Sequence, residues 1–211
     1  MIKYTDDKKP RVKKESIKCF EATIIGGNLK GKKILIPNIN TTRSSKTILR
    51  ESLFNTLQFD IIDKDFVEVF AGSGSVGLEA ISRGARQASF IEKSKIVYDI
   101  LRQNIKNLNI ANAISIRGDS FEEFEAVYKS IKNRGAKCYF YFDPPFSTRE
   151  GMEDIYEKTL ELISMIEPEV CEMVIVEHMT AIEMPSDIGS LRKQKYKKFG
   201  KSSLSYYSAN H

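Results

Sequence analysis

The chain has 211 residues, a formal charge of +5, and 41% apolar and 29% charged side chains, which suits one well-buried soluble domain with at most a small appendage. No apolar run approaches the roughly 20 residues a membrane span needs, and the lysine-rich start lacks the apolar core of a secretory signal. Three widely separated cysteines, Cys19, Cys138 and Cys171, exclude a disulfide framework and a zinc CxxC pair, so a reducing, cytoplasmic setting and no metal site are expected.

Residues 1–20 read as a basic, flexible arm, with Lys8, Lys9, Arg11, Lys13, Lys14 and Lys18 against a single acid, Glu15, over residues 8–18. Residues 21–58 form the next unit. Short strands are expected at Ala22–Ile25 and Lys33–Ile36 around Gly26-Gly27-Asn28, followed by a helix from Thr47 to Leu57 with Ile48, Leu49, Leu53 and Thr56 at helical spacing. From residue 59 to 211 strands and helices alternate. Strands are expected at Phe66–Phe70, Ala88–Ile91, Ala113–Ile116, Cys138–Phe142 and Met173–Glu177, with helices between them at Ser75–Arg83, Ile96–Leu108, Phe121–Ile131 and Ile155–Ile166. Gln194–Phe199 and Leu204–Tyr207 close the chain as a hairpin around Gly200. Such alternation implies a mostly parallel α/β sheet covered on both faces, with ligands beyond the carboxyl ends of its strands.

Two motifs lie at those ends. The first is Gly72-Ser73-Gly74-Ser75-Val76-Gly77, a G-x-G-x-x-G run after a strand and before a helix. Glycines let the backbone approach a ligand closely. Dinucleotide enzymes set such a loop against a pyrophosphate, which the carboxylate of Glu68 on the preceding strand repels. The same carboxylate suits the ammonium of S-adenosylmethionine (SAM). Glu92 follows Gly72 by 20 positions, the spacing of an acid that accepts ribose hydroxyls. Asp119, in Arg117-Gly118-Asp119-Ser120, is placed for the amine of adenine. The candidate cofactor set is Glu68, Phe70, Ala71, Gly72, Ser73, Gly74, Gly77, Glu92, Lys93, Asp119 and Ser120.

The second motif is Asp143-Pro144-Pro145-Phe146. Its prolines stiffen the turn and remove two backbone donors, leaving carbonyls free. An exocyclic amine on a base is a poor nucleophile because its lone pair is delocalised. The Asp143 carboxylate and the Pro144 carbonyl are candidates to accept its two N–H groups, and Phe146 offers a ring on which the base stacks, worth about 1–3 kcal/mol. Asp143, Pro144 and Phe146 are therefore the catalytic candidates, acting by positioning for an in-line methyl transfer. A base inside a helix cannot reach such a loop and must be flipped or unpaired.

These residues resemble class I SAM-dependent methyltransferases, and among them the RsmD-type 16S rRNA (guanine-N2)-methyltransferases. The resemblance runs from about residue 22 to 208. It is carried by Ile25-Gly26-Gly27 and Lys30-Gly31-Lys32, by Thr42-Arg43 and Arg50-Glu51-Ser52-Leu53-Phe54-Asn55, by the long run Val69 to Ala85, by Phe90-Ile91-Glu92, by the Asp143 motif, and by Lys198-Phe199-Gly200 with Tyr206-Tyr207. It implies a Rossmann-like sheet of seven strands with an antiparallel last strand. It also implies N2 methylation of a guanine in 16S rRNA, within a 30S subunit or an assembly intermediate, by a monomer that uses SAM. Arg43, Arg50, Lys30, Lys32, Lys197 and Lys198 become candidates for the substrate. Arg43 and Arg50 either contact RNA phosphate or position the cofactor. The chain departs from the family pattern at Glu68 (usually Asp), Ser44-Ser45 (usually Pro-Thr), Thr47-Ile48 (usually Asp-Arg) and Phe146 (commonly Tyr). Three other readings stay open at this point: a DNA adenine-N6 methyltransferase, an NAD-dependent oxidoreductase, and a non-catalytic RNA-binding assembly factor of the same fold.

Overall fold

A computed structural model describes residues 17–38, 43–145 and 154–209. A two-stranded antiparallel hairpin, β1 (Cys19–Thr23) and β2 (Lys33–Pro37), precedes helix α1 (Arg43–Leu57). The remaining elements are β3 (Asp65–Glu68), α2 (Ser75–Ser82), β4 (Gln87–Glu92), α3 (Lys95–Asn107), β5 (Ala113–Arg117), α4 (Ser120–Asn133), β6 (Cys138–Phe142), α5 (Ile155–Ser164), β7 (Cys171–Met179), β8 (Asp187–Ile188), β9 (Leu191–Phe199) and β10 (Ser202–Ala209). They build one sheet in the order β5-β4-β3-β6-β7-β10-β9-β8. The first five strands in that order are parallel, and β10 runs antiparallel to both β7 and β9. This is the expected Rossmann-like α/β architecture, with seven strands in the expected arrangement. The two-residue β8 extends its edge.

Side-chain alternation explains why the sheet is buried on both faces. On β3, Phe66 joins one core cluster and Val67 the other; on β6, Tyr139 and Tyr141 join the first, and Phe140 and Phe142 the second. Helices α1, α2 and α3 cover the first face through Leu53, Phe54, Leu78 and Leu101. Helices α4 and α5 cover the second through Phe124, Ile131 and Ile163.

The hairpin is knitted onto the sheet domain by buried polar groups. Glu79 on α2 accepts the amide hydrogens of Ile25 and Gly26, each at 2.8 Å, and pairs with Arg83 at 2.8 Å. The side chain of Asn104 on α3 accepts from Leu35 N and donates to the carbonyls of Leu35 and Ser73. One amide thus joins the hairpin to the glycine turn. Residues 21–58 share a core with the sheet, because Ile24, Ile34 and Leu49 lie in the first cluster.

Candidate active site

The glycine turn leaves the carboxyl end of β3, and the Asp143 loop leaves the carboxyl end of β6. These strands are neighbours in parallel register, with Glu68 opposite Tyr141. On the other side of β3, β4 ends at Glu92. The sheet order reverses at β3, so this edge is the switch point where ligands of such folds bind.

Within the turn, Gly72 and Gly74 have φ of 54° and 79°, a left-handed conformation that glycine adopts without strain. A Cβ on Gly74 meets Leu101 Cδ1 at 2.4 Å, whereas one on Gly72 points into open space. Gly72 therefore presents bare backbone to whatever lies above the turn. Gly77 packs on Phe90, where a Cβ has 2.4 Å to the ring.

Three carboxylates surround the turn. Glu68 is 3% exposed and accepts the amide hydrogens of Val76 (3.2 Å) and Gly77 (2.9 Å) at the start of α2. Burial pushes its carboxyl up to about 8, against the pull of those two donors. Glu92 accepts from Gly72 N at 2.8 Å and Ser94 N at 2.7 Å, and burial raises its pKa against these donors. Asp119 caps α4 by accepting from Phe121 N at 3.0 Å and pairs with Lys93 at 2.6 Å. Partial burial opposes ionisation there, but Lys93 and the Phe121 amide outweigh it and hold the carboxyl below its ordinary value. Ser120 is buried and donates to the carbonyl of Val69. Phe70 packs edge-to-face on Phe121 with centroids 5.6 Å apart. Ala71 N donates to Ile91 O, and Ser73 is buried beneath the turn.

Asp143 and Pro144 stand at the end of β6; Phe146 lies outside the described residues. The Asp143 carboxylate belongs to a network that sequence reasoning missed. Lys46 Nζ on α1 donates to Asp143 Oδ2 at 2.7 Å and to Glu177 Oε1 at 2.6 Å. Glu177 on β7 is fully buried, and its other oxygen accepts the Tyr141 hydroxyl at 2.6 Å. Burial alone lowers the Lys46 pKa, but the two carboxylates outweigh it and the ammonium is held above the ordinary lysine value. One signal for Glu177 was present, an acid inside the apolar run Met173–Met179. Lys46 had none.

The substrate candidates divide. Lys30, Lys32 and Lys198 are exposed. Lys30 lines a cleft of about 470 Å³ that the hairpin forms with Thr47 of α1. Lys197 instead leans on α1, donating to Ser52 Oγ at 3.0 Å and Thr56 Oγ1 at 2.9 Å, and desolvation followed by Lys195 lowers its pKa. Arg50 is 5% exposed and donates to Thr23 O at 2.6 Å and Ser75 O at 3.4 Å. From that buried place it does not face solvent as a phosphate contact would; it ties the hairpin to the glycine turn. Arg43 opens α1, and its side chain lies outside the described residues, as does most of the basic arm, residues 1–16. Among the described residues no cluster of three His, Cys, Asp or Glu is arranged to hold a metal, and no helix is long and apolar enough to cross a membrane.

The family model described as conserved hypothetical protein 95 matches residues 22–208, spanning the hairpin, the glycine turn, the Asp143 loop and the closing strands. The chain belongs to this family. Among its relatives is the ribosomal RNA small subunit methyltransferase D of Buchnera aphidicola, 36% identical over 66% of this chain and 68% of its own length. The protein of that name from Escherichia coli is 34% identical over 66% of this chain and 65% of its own length. Among solved structures, the Escherichia coli protein yhhF, by its name a candidate methyltransferase, superposes with a TM-score of 0.70 at 26% identity over 91% of this chain and 99% of its own. TYW2 of M. jannaschii, solved with AdoMet, shares the fold at a TM-score of 0.56 and 15% identity, covering 96% of this chain and 90% of its own. The RsmD-type resemblance drawn from the sequence is borne out, and the fold is that of class I methyltransferases.

Proposed function

We propose that this protein methylates the exocyclic N2 amine of a guanine in 16S rRNA with SAM as donor, on a 30S subunit or an assembly intermediate, acting as a cytoplasmic monomer. One observation carries the reading: the glycine turn and Asp143 leave adjacent parallel strands on the same edge of the sheet. A donor seated over Gly72 and an amine held at Asp143 are then neighbours. The residues around the turn suit SAM in their chemistry. Gly72 admits a ligand against its backbone, Glu92 keeps lone pairs for ribose hydroxyls, and Asp119 has an oxygen for the adenine amine. Glu68 offers a carboxylate that gains ionisation when an ammonium arrives, since burial outweighs its two amide donors and the Arg50 charge and lifts its pKa to about 8.

When bound, the cofactor supplies an electrophilic methyl group on a sulfonium. The protein's own part is positional. Asp143 and the Pro144 carbonyl accept the two N–H groups of the target amine, aim its lone pair along the axis of displacement, and exclude other orientations. With the amine so held, the Asp143 carboxylate would take up the proton that the nitrogen loses on methylation. Phe146 supplies the stacking face.

The test is transfer of labelled methyl from SAM to 30S particles and 16S rRNA prepared from cells lacking the gene, with duplex DNA alongside. The expected result is one new N2-methylguanosine in 16S rRNA and none in DNA, with Asp143→Ala lowering the rate by about 10²–10³-fold, the scale of losing a positioned acceptor. Transfer to DNA alone, or an Asp143→Ala variant with full activity, overturns the reading.

A further inference from the structure

We propose that Lys46 is a positioning residue for methyl transfer: by spanning Asp143 and the buried Glu177, it keeps the Asp143 carboxylate charged and turned so that its other oxygen faces the target amine. The inference rests on the reading that Asp143 holds that amine.

The geometry is specific. Lys46 Nζ is 2.7 Å from Asp143 Oδ2 and 2.6 Å from Glu177 Oε1, and Tyr141 completes the site by donating to Glu177 Oε2 at 2.6 Å. Glu177 has no exposed side-chain surface, while Asp143 keeps 27% and Lys46 39%. The buried carboxylate is thus anchored by two donors, Lys46 and Tyr141, and Lys46 ties the solvent-edge carboxylate to it. An acid buried without a cation is costly, so Glu177 secures the ammonium, and the ammonium secures Asp143.

Among the described residues, groups from five elements face Asp143. They are Lys46 on α1, Glu177 on β7, Tyr141 on β6, Tyr156 on α5 and Glu68 on β3. Lys46 is the cation among those named. Without it, the carboxylates of Asp143, Glu177 and Glu68 repel one another, and protonation of one relieves the repulsion. A protonated Asp143 is a worse acceptor for an amine and no acceptor for its proton. Removing the charge on Lys46 must therefore move the acid side of the rate profile toward higher pH. A merely structural lysine lowers the rate at every pH alike.

The experiment measures single-turnover methyl transfer between pH 5.5 and 9, with SAM and undermethylated 30S particles both saturating. Lys46→Met is expected to lose about 10–100-fold in rate at pH 7, comparable to a misplaced reacting group. Its acid limb should shift upward by about one pH unit or more, the effect of losing an adjacent opposite charge. SAM affinity by calorimetry should change less than twofold. Lys46→Arg, which keeps the charge, should restore the limb to the wild-type position. If Lys46→Met does not fold by circular dichroism, Lys46→Gln takes its place in the same assay. A wild-type limb in the neutral variant, or an upward shift shared by Lys46→Arg, overturns the proposal. The parent reading fails separately: it falls if Asp143→Ala transfers at full rate. If Asp143→Ala is inactive while Lys46→Met matches wild type in rate and limb, only the role of Lys46 falls.

Discussion

Glu92 accepts the amide hydrogen of Gly72 at 2.8 Å. The acid at the end of β4 therefore shapes the glycine turn as well as standing where ribose hydroxyls are expected. Its second oxygen accepts from Ser94 N and starts the path into α3. On the proposed reading, removing the carboxylate acts on the cofactor twice, once at the ribose and once through the turn.

Glu92→Ala should therefore weaken SAM binding more than a surface acid does. Losing hydrogen bonds to a charged acceptor costs about 1.5–3 kcal/mol, which is about 10–150-fold in Kd. Calorimetry reads this directly. A change under threefold shows that the carboxylate faces neither the ligand nor a turn the ligand depends on.

Gly72 and Gly74 separate binding from folding. Both have positive φ, so alanine at either position costs about 1–2 kcal/mol in backbone strain. At Gly74 the new methyl also strikes Leu101 in the core cluster, whereas at Gly72 it meets nothing. Gly74→Ala should lower the thermal midpoint clearly more than Gly72→Ala. The order for SAM affinity should reverse when each loss is corrected for the folded fraction, since the Gly72 methyl enters the open space proposed for the ligand. Equal loss of stability with unchanged affinity in both variants rules out the cradle.

Glu68 makes stability depend on pH in an uncommon direction. Its folded pKa is about 8 against an ordinary 4.5, so the folded state holds the proton more tightly than the unfolded chain. Such a group stabilises the fold fully below about pH 4.5, and its contribution is lost as pH rises from there through about 8. Glu68→Gln cannot titrate. It loses an acceptor for one of the amides of Val76 and Gly77 at every pH. The thermal midpoint of the variant minus that of wild type should therefore rise steadily between pH 5 and pH 8. A flat difference means that the carboxyl titrates normally.

Local chemistry explains which parts were legible in the sequence. β6 begins and ends where expected because a lysine precedes its apolar run and Asp143-Pro144 follows it. β3 was expected to reach Phe70 but stops at Glu68; the chain turns toward the glycines while Val69 and Phe70 remain apolar because they pack on the second core face. α1 starts at Arg43, not Thr47, since nothing in Ser44-Ser45 forbids helix although the apolar spacing begins later. Arg50 was a candidate for contact with RNA phosphate, yet it falls in helical phase with Leu53, Phe54 and Leu57, which are all buried. The bridge from Lys46 to Glu177 spans 131 positions. Its partners meet only after α1 packs across the sheet, and no local pattern carries that contact.

Glu79 tests how firmly the hairpin is held. Its carboxylate is fully buried on α2 and accepts from Ile25 N and Gly26 N, while Arg83 Nε lies at 2.8 Å and Arg50 Nε at 3.8 Å. Glu79→Ala strands two amides and leaves two guanidinium groups short of their counter-charge. Breaking such a buried pair costs about 3–5 kcal/mol, or about 6–20 °C in thermal midpoint for a domain of this size. Because Arg50 also donates to Ser75 O beside the glycine turn, SAM affinity should fall as well, by about threefold or more after correction for folded fraction. Glu79→Gln keeps the shape and one acceptor, so its loss should be smaller. A midpoint within 2 °C of wild type for Glu79→Ala means the hairpin is held by the burial of Ile24 and Ile34 in the shared core cluster, and not by this carboxylate.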